Sequence, residues 1–170
     1  MKHGDAGVIG YRAAIAVASL ISGAVALYLH LWKRQLMQTT AAQVADGSFQ
    51  MLECGIGGGC VLAQTSAFSW FLGVDVALIG TVGYAAVLVV SVLGLLPRWR
   101  HARWPTLMLM GLIYPAVLFT LRLKYGESYV LRTFCSWCAV SAVAITLCAI
   151  LVTLDYRRLD RPATEPDRHA

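Results

Sequence analysis

Polar and apolar positions along this chain fall into blocks rather than alternating. Four apolar stretches stand out, over residues 13–31, 76–96, 104–121 and 134–154. Ser19, Ser22 and His30 alone interrupt the first, the third contains Pro115, and the fourth carries no charge. At a helical rise of ~1.5 Å per residue each reaches roughly 27–31 Å, close to the hydrocarbon thickness of a bilayer. Backbone N–H and C=O groups find no water in lipid, so each stretch is predicted to be a transmembrane helix, with a kink at Pro115. The first stretch is too long for a signal sequence and no small-x-small cleavage site precedes Lys33-Arg34, so it is expected to stay attached. The pattern therefore predicts an all-α integral membrane protein built as a four-helix bundle. Residues 1–12 form a short N-terminus, 13–154 the membrane domain, and 155–170 a tail that Pro162, Pro166 and alternating charges mark as disordered.

Composition agrees with the blocks. Hydrophobic residues make up 58% and charged residues 14%, with a mean hydropathy of +0.65. A soluble domain usually carries roughly a quarter charged residues, so too little polar surface remains to cover a globule. Fourteen basic against nine acidic residues give a net charge of +5. In a membrane chain that excess sets topology, which removes a nucleic-acid reader from consideration. Four spans put both termini on one side. That side holds nine Lys and Arg residues against five on the other, which predicts cytoplasmic termini. The extracytoplasmic side then carries a long first loop, residues 33–75, and a short one, residues 122–133. A metal-ion transporter needs ionisable groups within its spans, and these windows contain none except His30.

Four of the five cysteines occur as two pairs, and both pairs fall on the oxidising side. Cys54 and Cys60 bracket a segment of four glycines and one isoleucine. Glycine frees the backbone there, so a thiol can approach more than one partner sulfur. Cys135-Ser136-Trp137-Cys138 stands at the outer start of the fourth span. A helix N-terminus stabilises a thiolate, which makes this pair a candidate dithiol redox centre. Static disulfides are the plain alternative for both pairs. A zinc site of four thiolates is a second, although five residues between Cys54 and Cys60 exceed the usual two to four. No metal is expected. Cys148, near mid-membrane, reads as a small buried apolar residue.

Four spans, a cysteine pair in the long first outer loop and a C-x-x-C at the outer start of the fourth span resemble the vitamin K epoxide reductase family, in its bacterial form. The resemblance extends through Ser66, six residues after Cys60, and Gly73, Gly80 and Tyr84 around the head of the second span. It covers about residues 13–154. The four-helix quinone reductases of disulfide formation carry their C-x-x-C in the first outer loop and fit less well. Two departures stand out. Gly73-Val74-Asp75 replaces the Gly-x-Pro of many bacterial members, and Asp75 is expected to snorkel to the interface. Ser141-Ala142-Val143 stands where vertebrate members have Thr-Tyr-Ala, which argues against epoxide reduction and anticoagulant sensitivity.

The resemblance implies a membrane thiol:quinone oxidoreductase of the bacterial inner membrane. It would take two electrons from a separate periplasmic thioredoxin-fold dithiol oxidase and pass them to ubiquinone or menaquinone, supporting disulfide bond formation. Cys54 would exchange with the partner, Cys60 with Cys135, and Cys138 would face the quinone and form the transient adduct. The implied disulfides are Cys54–Cys60 and Cys135–Cys138, with a transient Cys60–Cys135 bridge. Ser66 would donate a hydrogen bond to the quinone oxygen or cap a short interfacial helix over Ala67 to Leu72. Phe68, Trp70 and Phe71 would lie on that helix, with Phe71 a quinone contact.

Overall fold

The computed structural model describes residues 3–46, 63–64, 66–99, 102–132 and 134–160. Cys54, Cys60 and the tail beyond Asp160 lie outside the described residues. Four long helices account for most of the rest: α1 His3–Asp46, α2 Val76–Leu95, α3 Trp104–Tyr125 and α4 Ser136–Asp160. Within them Ile9–Gln35, Val76–Leu95, Trp104–Val130 (α3 with the turn that follows it) and Ser136–Leu159 are long and apolar enough to cross a membrane. The chain is a multi-pass membrane protein of all-α type.

The helices overrun the apolar windows. α1 continues from Lys33 to Asp46, where the sequence reading had a loop, because Leu, Met, Gln and Ala in that segment favour helix and nothing breaks it before Gly47. α3 opens with Pro105 in its first turn, where a missing N–H costs nothing, and runs unbroken through Pro115 to Tyr125. A π-helical turn, Gly126–Val130, follows it. The interfacial helix expected over Ala67 to Leu72 is instead a single 3-10 turn, Ala67–Ser69, leading into a hairpin. β1 Trp70–Phe71 pairs antiparallel with β2 Val74–Asp75, Trp70 opposite Asp75 and Phe71 opposite Val74. Aromatic and β-branched residues favour strands, and the two-residue loop has positive φ at both positions, Leu72 (53°) and Gly73 (79°).

α1 packs against α2 and α4, and α3 closes the bundle between those two. Ile15, Leu109, Ile113 and Val152 are fully buried at the centre, with Tyr84, Val87, Ile145 and Cys148 beside them. A second cluster, nearer the cysteine end, gathers Leu29, Trp32, Ala77 and Cys135. Val17, Leu20, Val82, Val89, Leu118 and Leu147 point outward, the inverse of a soluble bundle and the arrangement lipid requires.

At the opposite end the expectation of spans free of charge fails. Arg12 and Asp155 lie one residue outside the apolar windows, yet both are helical and fully buried. Arg12 of α1 donates from Nε to Asp155 Oδ2 of α4 (3.1 Å), from Nη1 to the Gly94 carbonyl of α2 (2.6 Å) and from Nη2 to Thr106 Oγ1 of α3 (3.0 Å). Thr106 in turn donates to Asp155 Oδ2 at 2.7 Å. One guanidinium thus reaches all four helices. A Cβ on Gly94 would stand 3.2 Å from Pro105 Cβ and 3.3 Å from Arg12 Cδ, so a larger residue there would press both neighbours back by a few tenths of an ångström.

Candidate functional site

Cys135 immediately precedes α4, and Cys138 lies in its first turn. The Cys138 N–H donates to Cys135 Sγ at 3.3 Å, so the sulfur takes the place of a capping oxygen at the helix N-terminus. The backbone N–H of Cys135 is taken by Glu127 Oε1. Cys135 is fully buried, whereas Cys138 is half-buried. Both carry free thiols, as does Cys148. The Cys138 thiol, donating to Cys135, pulls the Cys135 thiol down to about 7; burial opposes the shift and the Cys138 amide adds to it. Of the two sulfurs, Cys135 is therefore the one that ionises first.

Cys138 opens onto a cavity of about 430 Å³ lined by all four helices, by Ala63 and Gln64, and by the 3-10 turn before the hairpin; its lining does not include Cys135. Its wall is mostly aliphatic and aromatic. The polar exceptions are Gln64, Ser69, Tyr84, Thr120 and Ser141, with the Lys124–Glu127 ion pair. Tyr84 and Ser141 hydroxyls lie 2.7 Å apart, bridging α2 to α4. Gln64 Nε2 is 3.9 Å from Cys138 Sγ. Such a wall suits a flat, weakly polar ligand with one or two hydrogen-bonding atoms, and the volume falls within the roughly 300–1,000 Å³ of small-molecule sites.

Ser66 does not line this cavity. Its Oγ donates to the Ala63 carbonyl at 2.8 Å and forms no cap to the turn that follows. Ser69 reaches the wall instead, donating to the Ser66 carbonyl at 2.8 Å and accepting from Lys33 Nζ at 3.0 Å. Phe71 is likewise off the wall. It packs edge-on against Phe119, ring centroids 5.2 Å apart, and Phe119 is the ring that faces the cavity, together with Phe68.

Asp75 does not snorkel. It is buried, caps α2 through Ala77 N–H, and binds Lys33 Nζ (2.9 Å) and His30 Nδ1 (2.7 Å) from α1. Burial alone raises its carboxyl, but the hydrogen bonds from His30 and Lys33 and the lysine's charge outweigh that and hold it below the ordinary 3.8. The Lys33 ammonium also sits 4.3 Å from the centroid of Trp70. Lys33, which the charge count treats only as a topology signal, fastens the hairpin to α1.

Gln64, Lys33 and Glu127 are the site residues that sequence reasoning passes over. A signal for Glu127 exists: it is the sole acidic residue in the basic outer segment 122–133, eight residues before Cys135. Nothing local marks Gln64.

Four membrane-spanning helices, a C-x-x-C at the head of the last and an apolar cavity at its second cysteine form the geometric picture. The sequence model described as Vitamin K epoxide reductase family matches residues 13–153, which reaches into all four apolar spans and takes in all five cysteines. The chain belongs to the vitamin K epoxide reductase family of membrane oxidoreductases.

Proposed function

We propose that this protein is a thiol:quinone oxidoreductase that carries an electron pair from an extracytoplasmic dithiol protein to a membrane quinone, and so supports disulfide formation in its partner. The observation that carries the reading is the division of labour within the C-x-x-C. Cys138 opens onto an apolar cavity between membrane-spanning helices, while Cys135 stands behind it, buried, with the more acidic thiol. A lipid-soluble acceptor reaches Cys138 from the bilayer. Another thiol reaches Cys135 from the loop side, and Gln64, four residues after Cys60, is already a neighbour of Cys138.

The sequence of exchanges balances. A partner dithiol reduces the Cys54–Cys60 disulfide and leaves oxidised. The Cys60 thiolate attacks Cys135 Sγ of the Cys135–Cys138 disulfide, forming the transient Cys60–Cys135 bond and releasing the Cys138 thiolate. Cys54 then attacks Cys60, re-forms the loop disulfide and releases the Cys135 thiolate. The resulting Cys135/Cys138 dithiol gives up two electrons and two protons as its disulfide closes, and the quinone leaves as quinol. Tyr84 and Ser141 supply hydroxyls to hold the quinone ring, and Phe119, backed by Phe71, supplies an apolar face. Ser66 supports the wall indirectly, through the carbonyl that orients Ser69. The nine-to-five charge split supports an orientation with cytoplasmic termini and the cysteines outside, in a bacterial plasma membrane.

The test is a quinone absorbance trace with purified protein in detergent, a small dithiol and a short-chain ubiquinone or menaquinone. Wild-type protein reduces the quinone, and Cys138→Ala abolishes the reaction. Cys54→Ala retains it, because the small dithiol reaches Cys135 without the loop relay. A flat wild-type trace from folded, quinone-accessible protein sinks the proposal. Two static disulfides predict that flat trace for every variant.

A further inference from the structure

Glu127 is a carboxylate with little reason to be buried unless it does something there. It is 6% exposed, on the π-helical turn after α3, and it lines the same cavity as Cys138. Burying a carboxylate is costly unless its lone pairs are taken up. Here Oε2 accepts from Lys124 Nζ at 2.7 Å, and Oε1 accepts from the Cys135 amide. Two backbone features lie beside this second bond. Arg132 adopts a left-handed conformation (φ 49°), within the loop that leads from the turn to Cys135. Gly126 lets the Phe68 ring lie against the turn itself, since a Cβ there would stand 2.7 Å from Phe68 Cδ1.

We propose that Glu127, charge-paired with Lys124, is a positioning residue for the C-x-x-C: it anchors Cys135 by the backbone amide and uses its charge to set how readily that thiol reacts. The proposal rests on reading Cys135 and Cys138 as the redox pair. An amide needs only an acceptor, which a glutamine supplies as well as a carboxylate, so the charge is the part that calls for a further role. Among the described residues, the titratable and charged groups acting on Cys135 are three. Cys138 comes from α4, Lys124 from α3 and Glu127 from the turn, whereas α1 and α2 bring apolar Leu29, Trp32 and Ala77 to its cluster. After the larger effects of the Cys138 hydrogen bonds and burial, Glu127 pushes the Cys135 thiol up and Lys124 pulls it down.

The experiment is a pH titration of thiolate ultraviolet absorbance on the full, reduced chain, with Cys54, Cys60 and Cys148 replaced by serine so that only the C-x-x-C absorbs. Glu127→Gln keeps the amide acceptor and removes the charge, so the first thiolate appears at lower pH, by roughly half a unit or more. Lys124→Gln moves it the other way, and the double variant returns towards the parent. A midpoint unmoved in Glu127→Gln, or moved upward, overturns the proposal. Where Glu127→Gln does not fold, Lys124→Gln decides alone, and an unmoved midpoint overturns it equally. No quinone enters this titration. A wild type that reduces no quinone therefore defeats the redox reading separately, while the midpoints still report on Glu127.

Discussion

Asp75 is buried at the head of α2, and its neighbours in the chain say little about its state. Its partners lie 45 and 42 residues upstream, at His30 and Lys33. A local reading sees a lone carboxylate at a membrane edge and sends it to solvent; the fold closes a charge network around it. The same limit hides Gln64, whose relevance to Cys138 comes from a separation of 74 residues. The cysteines are legible because their chemistry is stated by type and spacing alone. Titration gives Asp75 a measurable signature. Its folded carboxyl lies below the ordinary 3.8, so its contribution is present above that value and is lost as pH falls through the lower, folded one. Thermal unfolding of the wild type in detergent should weaken as pH falls below the ordinary carboxylate range. Asp75→Asn should be less stable at neutral pH and should show a shallower acid slope. Parallel curves for the two proteins would remove Asp75 from the account.

Apolar blocks locate the helices but misjudge their ends. A window that stops at the first charge loses Arg12 and Asp155, because nothing in either neighbourhood shows that the two charges meet across the bundle. The pair is 143 residues apart in sequence and 3.1 Å apart in space. The hairpin was missed for a different reason: Ala67 to Leu72 is aromatic and short, and the paired strand that decides its state follows only after Gly73. The four-helix clasp has a clear energetic expectation. Arg12→Met leaves Asp155 as a buried carboxylate without its cation, which costs about 3–5 kcal/mol. Arg12→Met with Asp155→Leu removes both charges and should recover most of that loss. Equilibrium unfolding in mixed micelles distinguishes these outcomes. A double variant as weak as the single one would show that the shape of the arginine, rather than its charge, holds the helices.

Across the whole molecule, the charge asymmetry along the chain and the place of the C-x-x-C at the head of the last helix are both legible in the sequence. The cavity is not, because its wall takes a few residues from each helix and none of those sets is distinctive alone. Orientation is directly measurable. A thiol reagent that cannot cross membranes should label Cys54 and Cys60 from outside intact, reduced cells. Labelling only after the cytoplasm is opened would invert the topology and remove the partner's access.

The clasp at Arg12 has a mechanical consequence when set beside the ties at the far end. Lys33 and His30 bind Asp75, which joins α1 to the head of α2. Glu127 joins the end of α3 to the head of α4. The bundle is therefore a pair of tweezers: four helices share one heel, and the tips are bound two and two, with the cavity between the jaws. Contacts that cross from jaw to jaw include the apolar ones of Phe68 on Gly126 and Phe71 on Phe119, and the Tyr84–Ser141 hydrogen bond. A widening of the gap between the jaws would therefore cost apolar contact and one neutral hydrogen bond, while the buried charge pairs lie within each jaw and would stay whole.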